Sequence, residues 1–320
     1  MAWRSEPDRS TPKQPAAARR RGVLLGLGAA LLAAAAPPRR STEVASGVFV
    51  LPGLDEEASA ENLDALANTG FVVGRDAVAL IDPGGSLAHG RLLRQAVEAA
   101  TPLPIRHIIL THVHPDHVMG AAAFADCGAE VIGHARLSAA LAQRGDFYRR
   151  MLDREMGEAA AGSAALVPTR LVQDRLDLDL GGRVLALRAH PPAHTDHDLS
   201  LLDNATGTLW AGDLLFLGRI PALDGSLAGW LRELEALRAV QALRAVPGHG
   251  PVSVPWPAGA DDLTRYLLAL RDGTRAAIAA GLGIAAAPGR VAPEEAARWH
   301  LAEAYHGRNV TAAYRELEWE

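Results

Sequence analysis

A single cysteine, Cys127, and a single lysine, Lys13, occur in 320 residues. One thiol excludes an intramolecular disulfide framework, a CxxC zinc site and a dithiol redox pair, and Cys127 is expected as a small buried residue between a helix and a strand. With so little lysine and a formal net charge of −5, the chain carries no basic stripe to neutralise phosphates, which argues against nucleic acid as a partner. No fixed-period repeat is visible, and the alanine-rich patches read as helix formers. What remains is ordinary for a globular chain: 49% hydrophobic and 22% charged residues, enough to bury a substantial core.

The first 36 residues are not expected to join that core. Arg19, Arg20 and Arg21 lead into GVLLGLGAALLAAAA, an apolar run of 15 residues. That is short of the roughly 20 residues of a spanning helix and suits the core of an export signal. Ala33 and Ala35 offer small residues before a cut that leaves Ala36 as the new N-terminus, so residues 1–35 are expected to be removed on the way to the periplasm. The consecutive arginines loosely match the twin-arginine export pattern, although its usual Phe and following Lys are missing. The exported form would keep 26 of the 32 bases and 35 of the 37 acids, a formal charge of −9 with no membrane span.

Beyond a short PPRRSTE linker, strand-like and helix-like segments alternate, as in an α/β protein. GVFVLPG (47–53), GFVVG (70–74) and AVALIDPGG (77–85) are short runs rich in β-branched residues, punctuated by glycine and proline. Leu87–Ala100 carries Leu92, Leu93, Ala96 and Ala100 near helical spacing. IRHIIL (105–110) is nearly continuous in apolar residues, as a strand buried on both faces should be.

Directly after that strand comes THVHPDHVMG (111–120), with His112, His114, Asp116 and His117 in one short stretch. Ligands of open α/β sheets gather beyond the carboxyl ends of strands. A buried polar group left unpaired costs about 1–3 kcal/mol, and bound metal would satisfy all four side chains together. Residues two apart on extended chain point the same way, so His112 and His114 can grip one ion. Asp116 and His117 follow as the chain turns into the helix-like VMGAAAFA (118–125) and face a neighbouring point. Further donors stand near other strand-like runs: His194 in HPPAHTDHDLSLL (190–202), Asp213 in TLWAGDLLF (208–216) and His249 in AVPGHGP (245–251). Glycines beside His249 allow close backbone approach.

Taken in order, HxHxDH, AHTD, GDLLF and PGHGP resemble the metallo-β-lactamase superfamily, over about Val44 to Pro251. More narrowly, GDLLFLGRIPALDGSLAGWL (212–231) and HGRNVTAAYRELEWE (306–320) are similar to the quinoprotein relay system zinc metallohydrolases, relatives of SoxH. Those proteins are generally exported and linked to PQQ-dependent dehydrogenase systems, here an implied functional partner. The resemblance implies an α/β fold, a four-layer αβ/βα sandwich over residues 44–258, followed by a helical C-terminal extension over 259–320. It implies two Zn2+ ions, with His112, His114 and His194 on the first, Asp116, His117 and His249 on the second, and Asp213 bridging both. Asp116 would also orient the nucleophile and accept its proton. The implied chemistry is hydrolysis of an ester, thioester, lactone or similar bond in a small molecule, by hydroxide shared between the two cations. Two other functions keep the same residues: a persulfide dioxygenase-like enzyme with a single Fe2+, and a periplasmic accessory metal protein without turnover.

His190 and His197 flank His194 and are candidates for steadying a ligand or donating a proton. His89, His107, His134, His300 and His306 are expected as ordinary surface or packed residues. Residues 145–167 read as a helical insertion and a candidate lid over the site. Residues 259–320 read as entirely helical, with Leu263, Leu267, Leu270 and Ile278 at helical spacing and a second helix opening on Pro293, Glu294 and Glu295. Trp299 and Tyr305 are expected in its core.

Overall fold

Runs of β-branched residues separated by glycine turns become the strands of two facing sheets. The computed structural model describes residues 40–320; the export signal expected over residues 1–35 lies outside the described residues. The first sheet holds β1 (Thr42–Ala45), β2 (Val48–Leu51), β3 (Thr69–Val73), β4 (Val78–Ile81), β5 (Ile105–Leu110), β6 (Glu130–His134) and β7 (Arg170–Val172), in that spatial order. β1 to β4 form an antiparallel meander, and β4 to β7 run parallel. Parallel neighbours need crossovers, and these are helical: α1 (Leu87–Ala100), α2 (Pro115–Val118) and α3 (Leu137–Met156). The second sheet holds β8 (Arg175–Asp179), β9 (Val184–Ala189), β10 (Leu199–Asp203), β11 (Thr208–Phe216), β12 (Arg244–His249) and β13 (Val254–Pro255), ordered β13-β12-β11-β10-β9-β8. Its one parallel pair, β11 with β12, is joined through α4 (Leu227–Arg238). The chain continues through α5 (Asp261–Ala279), α6 (Pro293–Ala296) and α7 (Ala302–Leu317).

Three apolar layers hold four layers of structure together. Between the sheets lie Val48, Val50, Ala79, Ile81, Ile109 and Ile132 against Leu185, Leu187, Leu199, Leu201, Trp210 and Val246. The opposite faces of β4 and β5 send Leu80, Ile108 and Leu110 outward against Leu93 and Val97 of α1 and Leu137 and Leu152 of α3. Burial on both faces explains the unbroken apolar run of β5, each fully buried Leu or Ile being worth about 1.5–3 kcal/mol. On the far side, Leu214, Trp230, Leu263, Tyr266, Leu267 and Val310 pack the second sheet against α4, α5 and α7. Local chemistry starts the helices that flank the sheets. Ser86 caps α1 by accepting a hydrogen bond from the His89 amide, and Ser226 caps α4 through the Gly229 amide.

Several local expectations are corrected. VMGAAAFA is not a continuous α-helix: one turn, α2, passes into a 3-10 segment over Met119–Phe124. Its backbone is drawn sideways, with Gly120 N–H donating to the Gly84 carbonyl (2.6 Å) and Ala122 N–H to the Ala164 carbonyl (3.0 Å). The helix expected from residue 145 begins at Leu137 and stops at Met156. Residues 259–320 are not helical throughout, because α6 and α7 are separated at Leu301, which adopts φ 59°. There the His300 backbone pairs with another segment: its N–H donates to the Gly218 carbonyl (2.8 Å), and its carbonyl accepts from Ile220 N–H (3.0 Å). Trp299 is core, whereas Cys127 is only half buried.

Candidate metal centre

β4 and β5 are parallel and end side by side, so the loops beyond them share one edge of the sheet. Asp82, just past β4, is fully buried and takes φ 49°. Its carboxylate accepts hydrogen bonds from Thr111 N–H (2.8 Å), from the Thr111 hydroxyl (2.7 Å) and from His117 Nδ1–H (2.8 Å). The Thr111 hydroxyl, having donated to Asp82, accepts from His112 Nδ1–H (3.0 Å). One carboxylate thus fixes the tautomers of two imidazoles. His194 Nδ1–H donates to the Ala222 carbonyl (2.8 Å), His249 Nδ1–H to the Leu66 carbonyl (3.1 Å) and His114 Nε2–H to Asp224 (3.1 Å). Every one of the five rings therefore has one nitrogen engaged by an acceptor and the other turned toward its neighbours, the arrangement that orients metal-binding histidines.

The free nitrogens meet the carboxylates in two adjoining groups: His112, His114, His194 and Asp213, then Asp116, His117 and His249. Ligands about 2.0–2.1 Å from a common tetrahedral centre lie about 3.3–3.4 Å from one another. In the first group, His114 Nδ1 is 3.1 Å from His194 Nε2, and Asp213 Oδ2 is 3.3 Å from His194 Nε2 and 3.5 Å from His112 Nε2. In the second, Asp116 Oδ2 is 3.2 Å from His249 Nε2 and 3.8 Å from His117 Nε2. Asp213 also borders this group, with Oδ2 3.5 Å from His249 Nε2 and Oδ1 3.0 Å from His117 Nε2. Even at that separation, His117 Nε2 and Asp213 Oδ1 are not aligned for a hydrogen bond, and His112 Nε2 likewise has none. Buried atoms that converge without bonding one another fit a bound cation.

Electrostatics favour the same conclusion. Burial drives His112 well below the ordinary imidazole value, reinforced by the charge of His117, and burial takes His194 down to about 3. Both are held neutral, the form that binds metal. Burial also works against ionised Asp213 and Asp116, yet His117 and His249 outweigh it and hold both carboxyls below their usual range. His117 is pushed up despite its burial by Asp213, Asp116 and Asp82. Three carboxylates within one buried neighbourhood make a strongly negative field that draws cations.

Asp213 and His249 depend on backbone that only glycine supplies. Gly212, at φ 53°, breaks the register between β11 and β12, and this irregularity precedes Asp213. A Cβ at Gly248 would lie 1.9 Å from Asp213 Oδ1, so the strand carrying His249 approaches the carboxylate without a side chain between them.

A cavity of about 320 Å3 opens over both groups, lined in part by His114, Asp116, Asp213 and His249. α3 contributes Tyr148, Met151 and Arg154 to its wall, so half of the expected insertion borders the site as one flank of a longer helix. Tyr305, partly buried against the core as expected, also lines the cavity, together with Arg308 and Arg219. His190 is not at the site: it bonds Glu233 (2.8 Å) and Ser200 (2.8 Å), beneath α4. His197 Nδ1 bonds Asp196 (2.6 Å), and neither ring bonds any of the seven converging residues. Asp82, Thr111, Asp224 and Asp64 escape a search for metal-donor motifs. Asp64 is buried against the cavity, and burial followed by the Asp116 charge pushes its carboxyl well above the usual value.

The loop of residues 217–226 steadies two of the rings, through Ala222 on His194 and Asp224 on His114. α7 grips this loop in turn. Asn309 accepts from Leu223 N–H (3.0 Å) and donates to the Pro221 carbonyl (2.7 Å). Glu316 accepts from the Ser226 hydroxyl (2.7 Å) and the amides of Leu227 (2.6 Å) and Ala228 (3.1 Å). Asp224→Ala is expected to weaken metal binding at the first group by about 10- to 100-fold with little change in folding; competition with a chelating dye measures the first and thermal denaturation the second.

The sequence profile of the Metallo-beta-lactamase superfamily matches residues 64–249. The chain is 27% identical over 158 residues to a Beta-lactamase-like protein 2 homolog of Caenorhabditis elegans, covering 49% of this chain and 46% of that protein. It is 36% identical over 154 residues to a Hydroxyacylglutathione hydrolase of Anaeromyxobacter dehalogenans, covering 46% of this chain and 44% of that protein. In both cases it spans about half the length of the curated relative. Among solved structures, a Metallo-beta-lactamase from Pontibacter korlensis superposes with a TM-score of 0.58 at 17% identity, covering 72% of this chain and 98% of that one.

Proposed function

Because the chain belongs to the metallo-β-lactamase superfamily, we propose that it is a hydrolase holding two Zn2+ ions and cleaving an ester, thioester, lactone or similar bond in a small molecule. The observation that supports this most is the position of Asp213, whose carboxylate borders nitrogen donors of both groups within 3.5 Å at the floor of an open cavity. His112, His114, His194 and Asp213 would hold one ion, and Asp116, His117 and His249, with Asp213 shared, the other. When bound, such ions lower the pKa of coordinated water from 15.7 to about 7 and polarise the oxygen of the bond under attack.

The chain's own residues do the positioning. Asp116 turns Oδ2 toward His117 and His249, which leaves Oδ1 to orient the attacking water and take its proton. Phe216 stacks on His249 with ring centroids 4.9 Å apart, and Tyr148 meets the edge of His114 at 6.5 Å. These rings restrict bulk water around the donors and keep competing ligands away.

The finer assignment, to the SoxH-like relay metallohydrolases serving a PQQ-dependent dehydrogenase, draws its support from residues 212–231 and 306–320. Export to the periplasm draws its support from the pattern of residues 1–35. Thioesters belong in the substrate range tested because one relative is named a hydroxyacylglutathione hydrolase. Metal analysis of the purified full chain, combined with a panel of esters, thioesters, lactones and lactams, tests the proposal. Two equivalents of zinc with turnover of at least one class is the expected result. Iron dependence with turnover of a glutathione persulfide instead would replace it with the dioxygenase alternative, and metal occupancy without any turnover would favour the accessory protein.

A further inference from the structure

Arg219 is 7% exposed. Its Nη1 donates to the Glu56 carbonyl (2.7 Å) and its Nη2 to the Tyr305 hydroxyl (3.3 Å), and the guanidinium lies 5.4 Å from the centre of the Tyr305 ring. All three partners are uncharged. Among the described residues no carboxylate oxygen comes within 4.0 Å of it. The chain treats a structural arginine differently: Arg183, also largely buried, is held by both oxygens of Asp203 at 3.0 and 2.6 Å. Removing a guanidinium from water without a counter-charge is unfavourable, and such an arrangement persists where a ligand supplies the missing charge.

A second arginine repeats the pattern. The Arg308 guanidinium also lies 5.4 Å from the Tyr305 ring centre, and it too has no carboxylate within 4.0 Å among the described residues. Two like charges on one aromatic ring repel each other unless an anion lies near both. Arg219, Tyr305 and Arg308 line the same cavity as His114, Asp116 and Asp213. Among the described residues, the other charged side chains there form no ion pair with either arginine. Arg154 and Glu155 pair with each other, Glu57 accepts from the Tyr305 hydroxyl (3.2 Å), and Asp64 stays beyond ion-pair distance. The arginine-bearing loop is itself pinned by the His300 backbone at Gly218 and Ile220, so the guanidinium sits on a fixed support.

We propose that Arg219 and Arg308, both set against the Tyr305 ring, recognise a carboxylate on the small molecule cleaved at the metal centre. A planar guanidinium matches a carboxylate with two parallel hydrogen bonds, and the Tyr305 ring, its hydroxyl occupied by Glu57 and Arg219, holds the two guanidinium groups in place. The substrate is then a small acid whose scissile bond reaches the floor of the cavity while its carboxylate stays on this wall. This rests on the hydrolase reading of the same site.

The test uses the full, metal-loaded chain and two matched pairs of probes, 4-acetoxybenzoate with phenyl acetate for turnover and benzoate with benzamide for binding by calorimetry. The expected preference in kcat/KM for 4-acetoxybenzoate is about 10- to 100-fold, expressed in KM. Arg219→Gln is expected to shrink that preference by about tenfold and Arg308→Gln by a smaller factor, with benzoate affinity falling in parallel and metal content unchanged. Arg308 is exposed, so its variant carries the test if Arg219→Gln does not fold. Preference and benzoate binding unchanged in both variants overturn the proposal while leaving the hydrolase standing. Benzoate binding lost in Arg219→Gln, with neither ester turned over by the parent chain, sustains the carboxylate site and counts against ester hydrolysis.

Discussion

Asp213→Asn is expected to bring bound zinc down to one equivalent or less and to lower kcat/KM on any hydrolysed substrate by on the order of 10³-fold. The substitution keeps shape and removes charge, so it isolates the carboxylate's role. Asp213 lies within 3.5 Å of His112, His194 and His249 nitrogens through Oδ2, and 3.0 Å from His117 through Oδ1. An amide offers one oxygen in place of two, and its NH2 group would turn a donor toward nitrogens poised for a cation. It also removes part of the negative field at the point where the two groups adjoin. Gly248 lets the strand carrying His249 lie close against this side chain, since a Cβ there would stand 1.9 Å from Oδ1. Plasma emission spectrometry of the purified variant gives the metal content, and circular dichroism shows whether the fold is retained. A variant that keeps two zinc ions and full turnover would dismiss the shared carboxylate from the chemistry.

Asp82→Ala is expected to cost about 3–5 kcal/mol of folding stability and to weaken metal binding by at least 10- to 100-fold. The carboxylate is buried and accepts from Thr111 N–H, from the Thr111 hydroxyl and from His117 Nδ1–H. Its removal strands those donors away from water, and an unpaired buried donor costs about 1–3 kcal/mol. The hydroxyl of Thr111 also loses the bond that turned its lone pair toward His112, so two imidazoles lose their fixed tautomer together. Alanine is poorly suited to the left-handed φ of 49° at this position. Urea denaturation in the presence and absence of zinc measures both effects. The parent chain is expected to gain stability on adding zinc, because a ligand of the folded state stabilises it by mass action, and the variant to lose most of that gain. An unchanged midpoint would mean that Asp82 merely fills space.

Much of this is legible in the sequence because chemistry and strand ends coincide. β5 announces itself by apolar residues on both faces, and His112 and His114 follow at the spacing of extended chain. His194, Asp213 and His249 stand in or beside runs that fold as strands. The supporting residues leave no such local trace. Asp82 meets His117 across 35 positions and Asp224 meets His114 across 110, pairings set by sheet order and not by periodicity. His190 and His194 look equivalent along the chain, yet only the fold turns one toward Glu233 and the other toward the donors. The break at Leu301 is equally silent, since no glycine or proline marks it. It arises because the His300 backbone bonds Gly218 and Ile220, and that tertiary pairing overrides local propensity.

The grip of α7 on the 217–226 loop extends to the site. Asn309 and Glu316 hold that loop, and the loop holds His194 and His114. The stiffness of two candidate ligands is therefore tied to a helix more than fifty residues beyond His249. Distant helix packing is expected to tune how firmly an ion would be held, without any change in a coordinating atom.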